Sequence, residues 1–259
     1  MRKLIILFGI FLLGNAARAQ ETREQRQEEK QARIDKLSRE EEEGVIAYRK
    51  SFAFGLKLIN DGYGAYFEWG RAKTVKKATL FQFEISERKA RKEAKESNTY
   101  VNSNPFVYGK INFVYPVRLG IQQQILLGNK ANKNGVNITA NYGGGISLSL
   151  LRPYYIEVDK NNALTYVKYN SADSSYFLNG PIVGGPTFGK GWSDMSVTPG
   201  LYAKTALRFD YGRYNLILSA IEVGITADYY TKKIPFLVQN PAKQFFFSGY
   251  VSFLFGKRK

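Results

Sequence analysis

From Ser51 onward the chain alternates at period two, and charged side chains fall on the face opposite the apolar one. In Ser51–Ile59, Phe52, Phe54, Leu56 and Leu58 share one face while Ala53, Gly55 and Lys57 share the other. A soluble sandwich hides its apolar faces and keeps charge at its surface. Here the second face gathers Lys57, Glu68, Glu84, Arg118, Lys204, Arg208, Glu222 and Asp228, four bases and four acids, which no sandwich core could hold. The pattern implies a cylinder that is apolar outside and polar inside, the signature of a transmembrane β-barrel.

Eight such segments are legible. They run Ser51–Ile59, Tyr63–Arg71, Ala78–Glu87, Pro116–Gly128, Val136–Val158, Thr198–Asp210, Tyr214–Tyr230 and Gln244–Phe255. An even number suits a single-chain barrel. The second, fourth and sixth connections are short, as periplasmic turns are, whereas the third, fifth and seventh are longer, as outer loops are. The first connection, Asn60-Asp61-Gly62, is a tight turn. Arg88–Tyr115 is expected to be a loop, and Asp159–Val197 the longest irregular stretch. Aromatic residues make up 15% of the chain. Tyr63, Tyr66, Trp69, Tyr154, Tyr155, Tyr229 and Tyr230 lie near strand ends, where interface girdles belong.

Residues 1–19 read as a signal peptide: Arg2 and Lys3, an apolar run Leu4–Leu13, then Ala17-Arg18-Ala19. Residues 20–45 form a charged periplasmic segment, a solvated helix or tail, or a docking element for a periplasmic partner. Residues 46–259 are the expected barrel. Gln20–Glu43 holds six bases and nine acids, too polar for a buried helical face. The whole chain carries net +16, which favours phosphorylated lipid headgroups or lipopolysaccharide over nucleic acid once export is expected.

Cysteine and histidine are both absent. No disulfide or thiolate metal site can form, and the usual general base near neutral pH is missing. No catalytic residue, metal ligand or cofactor is expected. An eight-stranded barrel is just wide enough to be filled by side chains. The eight interior charges are therefore expected to pair as a plug rather than line a channel. A carboxylate pair poised for chemistry or proton conduction is the sharper alternative. Leu216 and Leu218 share the parity of Glu222 and Asp228, so a bulge or an apolar lower plug is needed there. The run Arg88, Lys89, Arg91, Lys92, Lys95 is expected to project outward and contact lipopolysaccharide phosphates, or to be a solvated charge run. Gly143-Gly144-Gly145 lacks the helix and Lys-Ser/Thr of a phosphate loop, and Asn137-Ile138-Thr139 inside a strand reads as a chance sequon.

The phrases GLKLINDGYGAYFEWGRAK (Gly55–Lys73), PFVYGKINFVYPVRLGIQQQILLGNKANKNGV (Pro105–Val136) and GGGISLSLLRPYYIEV (Gly143–Val158) resemble small outer-membrane β-barrel proteins of the Bacteroidota, a porin-like family without an assigned activity. The resemblance implies an integral outer-membrane protein and offers no catalytic residues, while the alternation of short and long connections is what puts both termini in the periplasm. The leading expectation is a non-enzymatic structural or accessory subunit of an envelope complex, such as the β-barrel assembly machinery or type IX secretion. A narrow pore for small solutes is the second class. A lipid-modifying enzyme using carboxylates such as Glu68 and Glu84 is the third.

Overall fold

The computed structural model describes residues 48–259, apart from 75, 91, 99–102, 131–134, 161–162, 171–173 and 213–215. The expected signal peptide and charged segment lie outside the described residues. Eight antiparallel strands close into a barrel: β1 (Lys50–Ile59), β2 (Gly62–Thr74), β3 (Lys77–Arg88), β4 (Asn112–Gly128), β5 (Asn137–Pro153), β9 (Ser196–Asp210), β10 (Ile217–Ile234) and β11 (Lys243–Arg258). Each pairs with its neighbour in that order, and β1 pairs with β11 to seal the wall. Between β5 and β9 the chain builds β6 (Tyr155–Lys160), β7 (Ala163–Lys168), helix α1 (Ser174–Asn179) and β8 (Ile182–Gly184), with the three short strands in a separate sheet.

Tracing hydrogen-bonded partners from Phe52 gives Trp69, Phe81, Ile121, Gly144, Ala203, Ala227 and finally Phe247 on β11. Phe52 itself pairs with Lys257, ten residues further along that strand. Such a stagger is what tilts the strands, by about 40°, and fixes a narrow bore.

Pleating sends alternate side chains to opposite sides of the wall. Outward residues include Phe52, Leu56, Trp69, Ile121, Leu201, Phe247 and Phe253, all well exposed. Along β11 the exposed phenylalanines run from Phe245 to Phe255. That span on tilted strands rises about 25 Å, the height of an outer-membrane apolar band. The barrel spans a membrane by its strands. Tyr63 and Tyr229 mark the belt at the loop end, while Phe52, Trp69 and Phe255 mark it at the end that carries both strand termini. Four of the tyrosines expected in the girdles are elsewhere. Tyr66 and Tyr230 share parity with Glu68 and Asp228 and point inside, and Tyr154 and Tyr155 are buried above the barrel.

Four inward tyrosines sit directly across from inward glycines: Tyr66 from Gly55, Tyr250 from Gly224, Tyr230 from Gly200 and Tyr202 from Gly145. A Cβ at Gly55 would overlap the Tyr66 ring, and one at Gly200 would meet Tyr230 Cδ1 at 2.6 Å. The Tyr66, Tyr230 and Tyr250 rings fit in the bore because the neighbouring strand has no side chain at those positions, and the Tyr202 ring is accommodated in the same way over Gly120. Toward the termini end, Leu218, Ala220, Leu254, Ala53 and Tyr66 form an apolar plug. The parity conflict on the seventh segment is thereby resolved without a bulge, since β10 pairs in unbroken register from Ile217 to Tyr229. Leu216 lies in the turn before the strand.

The loop end is an ordered cap. Val107, Tyr154, Ile156, Val158, Val167, Phe177 and Phe236 form a core continuous with inward Tyr230. Backbone bonds stitch the connections together: Ile111 N–H to Phe236 O at 2.7 Å, Tyr154 N–H to Ile111 O at 2.8 Å, and Gly185 N–H to Asn104 O at 2.8 Å. The expected irregular stretch after Asp159 is therefore largely structured, because its alternating apolar residues pack on their neighbours rather than on lipid. For the same reason the expected fifth segment stops at Pro153, and Tyr155 begins a different sheet. The fourth strand starts earlier than expected, at Asn112, with Pro116 and Tyr115 skipped in the pairing to β3. Proline has no N–H to give that ladder.

Candidate functional site: the charged axis and the two rims

All eight predicted interior charges are buried, each 3% exposed or less. They fall into two clusters along the axis. Near the loops, Lys57 Nζ donates to both Glu84 oxygens at 3.0 Å, and Arg118 also donates to Glu84. Arg118 then reaches Asp228, which Arg88 Nη2 contacts at 2.9 Å, and Arg88 Nε meets Asp61 at 2.7 Å. Nearer the termini, Arg208 holds both oxygens of Glu68 at 2.7 and 2.6 Å and Glu222 at 2.7 Å. Lys204 meets Glu222 Oε1 at 2.9 Å, Asn141 and Tyr250 donate to the same carboxylate, and Arg258 pairs with Asp210 below.

Tyr250 joins the clusters, its ring 3.9 Å from Lys57 Nζ and 5.1 Å from Lys204 Nζ. Among the described residues the axis thus holds six cations against six anions, with Arg88, Arg258, Asp61 and Asp210 added to the residues the alternation exposed. Asp61 was hidden because it occupies the tight turn, where no strand parity applies. Chemically this is a neutral, multiply hydrogen-bonded filling. Glu68 and Glu84, the carboxylates of the enzymatic alternative, are each held by arginine and sealed from solvent. Among the described residues no group of three or more metal-ligating side chains is assembled.

Because the axis is neutral, the positive excess lies at the rims. At the loop end Arg88 departs from the outward run, since as the last residue of β3 it keeps the inward parity of Glu84 and Ser86. Lys89, Lys92 and Lys95 are exposed, and Arg91 lies outside the described residues. Lys89 and Lys92 line a cleft of about 420 Å³ with Lys243, Asn240, Phe245 and Phe247. Sequence reading missed Lys243, which is distant in the chain and joins the site only through barrel closure. At the termini end, Arg49, Lys50, Arg71, Lys73, Lys76 and Lys77 are exposed together with Lys257 and Lys259. The acid of that rim among the described residues, Asp210, is taken by Arg258.

Outside the membrane belt, Lys110 pairs with Glu93 at 2.6 Å, and a second ion-paired group joins Tyr155, Asp194 and Lys168 in the cap. Tyr155 donates to Asp194 Oδ2, which Lys168 Nζ approaches at 3.4 Å. The Tyr155 hydrogen bond, followed by that of Lys168 and its charge, holds the Asp194 carboxyl below its ordinary value.

No family model and no curated protein matches the chain. Among solved structures it is similar to Neisserial surface protein A, with 10% identity and a TM-score of 0.36 over 81% of this chain and 96% of that one. It is likewise similar to the N-terminal β-barrel domain of Pseudomonas aeruginosa OprF (7% identity, TM-score 0.35, 81% and 99% covered). A third is Ail, the attachment invasion locus protein of Yersinia pestis (7% identity, TM-score 0.37, 82% and 100% covered).

Proposed function

We propose that this chain is an integral outer-membrane barrel that neither conducts solutes nor catalyses a reaction, and that serves as a structural or accessory subunit of an envelope complex. The β-barrel assembly machinery and type IX secretion are the complexes favoured by the lineage its sequence resembles. The observation that carries this reading is the axis, where paired charges and tyrosines occupy the bore. A protein with its bore so filled acts through its ends.

The loop-end lysines Lys89, Lys92 and Lys95, joined by Lys243, suit phosphates of lipopolysaccharide, with Phe245 and Phe247 beneath them against the acyl region. The termini-end cations and the Gln20–Glu43 segment suit docking on the periplasmic side. Gentle detergent extraction of wild type and of a variant lacking residues 20–43 tests the role. A periplasmic or membrane partner should co-purify with the first and be lost from the second while the barrel stays folded. Identical co-purification would remove the docking role. Single-channel current above background in planar bilayers would replace the whole reading by that of a narrow pore.

A further inference from the structure

Above the belt, on the side formed by β4 and β5, the cap reaches down the outside of the wall. Residues 186–194 fold back so that the Trp192 ring stacks on Tyr115, with centroids 5.9 Å apart and planes 10° from parallel. Tyr115 is an outward residue of β4, in parity with Val117 and Leu119 of the belt. The segment is fixed in this position. Arg152 Cζ lies 4.6 Å from the Trp192 ring and 4.1 Å from the Phe113 ring. Both Arg152 Nη1 and Trp192 Nε1 donate to Phe188 O, at 3.2 and 2.8 Å. Gly191 adopts φ +90°, and a Cβ there would press on Pro153 O, so only glycine permits the return.

This architecture leaves Phe188 84% and Trp192 41% exposed, on a segment otherwise held by polar bonds. The neighbouring wall is also apolar higher than elsewhere. Val197 on β9 is 55% exposed, four residues beyond Leu201 toward the loops. The apolar patch is thus continuous with the membrane belt. A tryptophan whose N–H is satisfied on the protein side and whose ring edge stays open suits the headgroup boundary.

We propose that residues 186–194 form a lateral foot by which the cap rests on the bilayer, with Phe188 inserted among lipid chains and Trp192 at the headgroup level. This inference rests on the membrane-spanning reading of the barrel. The foot would fix the cap over the bore independently of any protein partner.

The chain has two tryptophans, Trp69 and Trp192, which makes the test direct. Trp69→Phe and Trp192→Phe variants are each folded into phosphatidylcholine vesicles, with and without bromine at the 6,7 or the 11,12 chain positions. The foot predicts about a twofold loss of Trp192 emission with shallow bromine and a smaller loss with deep bromine. Quenching of Trp192 by aqueous iodide with none by brominated lipid, while Trp69 is quenched by the lipid, would overturn the foot and leave the barrel in place. Absence of lipid quenching for both would instead overturn the spanning reading. As a second readout, a sole tryptophan at position 188 (Trp69→Phe, Trp192→Phe, Phe188→Trp) should be quenched more by deep bromine than Trp192 is. Equal or weaker deep quenching would remove the insertion of residue 188.

Discussion

Arg118 of β4 holds Asp228 of β10 by two parallel hydrogen bonds, Nε to Oδ1 at 2.8 Å and Nη2 to Oδ2 at 2.9 Å, from walls three strands apart. Its remaining nitrogen serves Glu84 and Ser86. One planar fork thus ties β3, β4 and β10 across the bore, a geometry that lysine could not reproduce. Arg118→Met should leave Asp228 and Glu84 short of a partner and cost about 3–5 kcal/mol. Urea unfolding in phospholipid vesicles measures it. Adding Asp228→Leu to that variant should recover much of the loss, because the Lys57–Glu84 and Arg88–Asp61 pairs then remain balanced and the damage comes from abandoned charge more than from the absent bond. A double variant no more stable than the single one would refute this.

The tyrosine–glycine pairs give a sharper contrast. A Cβ at Gly224 would meet the Ala206 Cβ at 2.6 Å and the Tyr250 hydroxyl at 2.7 Å, whereas at Gly249, on the outward side of β11, it meets nothing within 4 Å. Gly224→Ala should therefore cost about 1–3 kcal/mol, because Thr205 O and the Ala206 methyl on the neighbouring strand, as well as the Tyr250 hydroxyl, must give way. Gly249→Ala should be neutral or slightly stabilising, as a strand glycine normally is when replaced. Parallel urea titrations of the two variants would show the asymmetry, and equal losses would mean that these groups have room to move.

The barrel was legible in the sequence because period two fixes the side of the wall for every residue, and charges have one admissible side. Lys57, Glu68, Glu84, Arg118, Lys204, Arg208, Glu222 and Asp228 all carry that mark. Tyr66 and Tyr230 carried it too, yet tyrosine is at home both in a girdle and in a bore. Parity with Glu68 and Asp228 decides between them, and proximity to a strand end does not. The cap was illegible for a different reason. Its strands alternate like barrel strands, and only three-dimensional pairing reveals that Ile156 and Val158 face Phe177 instead of lipid. Lys243 escaped because closure of the sheet, rather than sequence proximity, sets it beside Lys92.

In the cap, Asp194 titrates below an ordinary aspartate because the Tyr155 hydroxyl and the Lys168 ammonium favour its charged form. The sign follows from linkage. A carboxyl whose folded value is depressed adds stability that is complete above the unfolded value and is lost as pH falls through the folded one. Protection of β6 and β7 backbone amides from hydrogen exchange should therefore hold at neutral pH and weaken only in acid below the usual carboxylate range. Tyr155→Phe should raise the Asp194 titration midpoint, followed by carboxyl carbon NMR, by more than Lys168→Met does. An unchanged midpoint in both variants would mean that neither Tyr155 nor Lys168 sets the Asp194 titration.

Leu254 is fully buried and packs with Leu218, Ala220, Ala53 and Tyr66 at the termini end of the bore. The apolar layer lies among the polar ones, and its role is steric: it removes water beneath the Glu68–Arg208–Glu222 cluster and so strengthens those ion pairs. Leu254→Ala should cost about 2–5 kcal/mol, since the rigid wall cannot collapse onto the cavity. Leu254→Met should cost under about 1.5 kcal/mol because volume is conserved. The distinguishing readout is salt dependence. If water enters beside the ion pairs in the alanine variant, its stability should fall further as ionic strength rises, while wild type and Leu254→Met stay nearly flat. A salt response equal in all three would mean that the leucine only fills space and does not shield the charges above it.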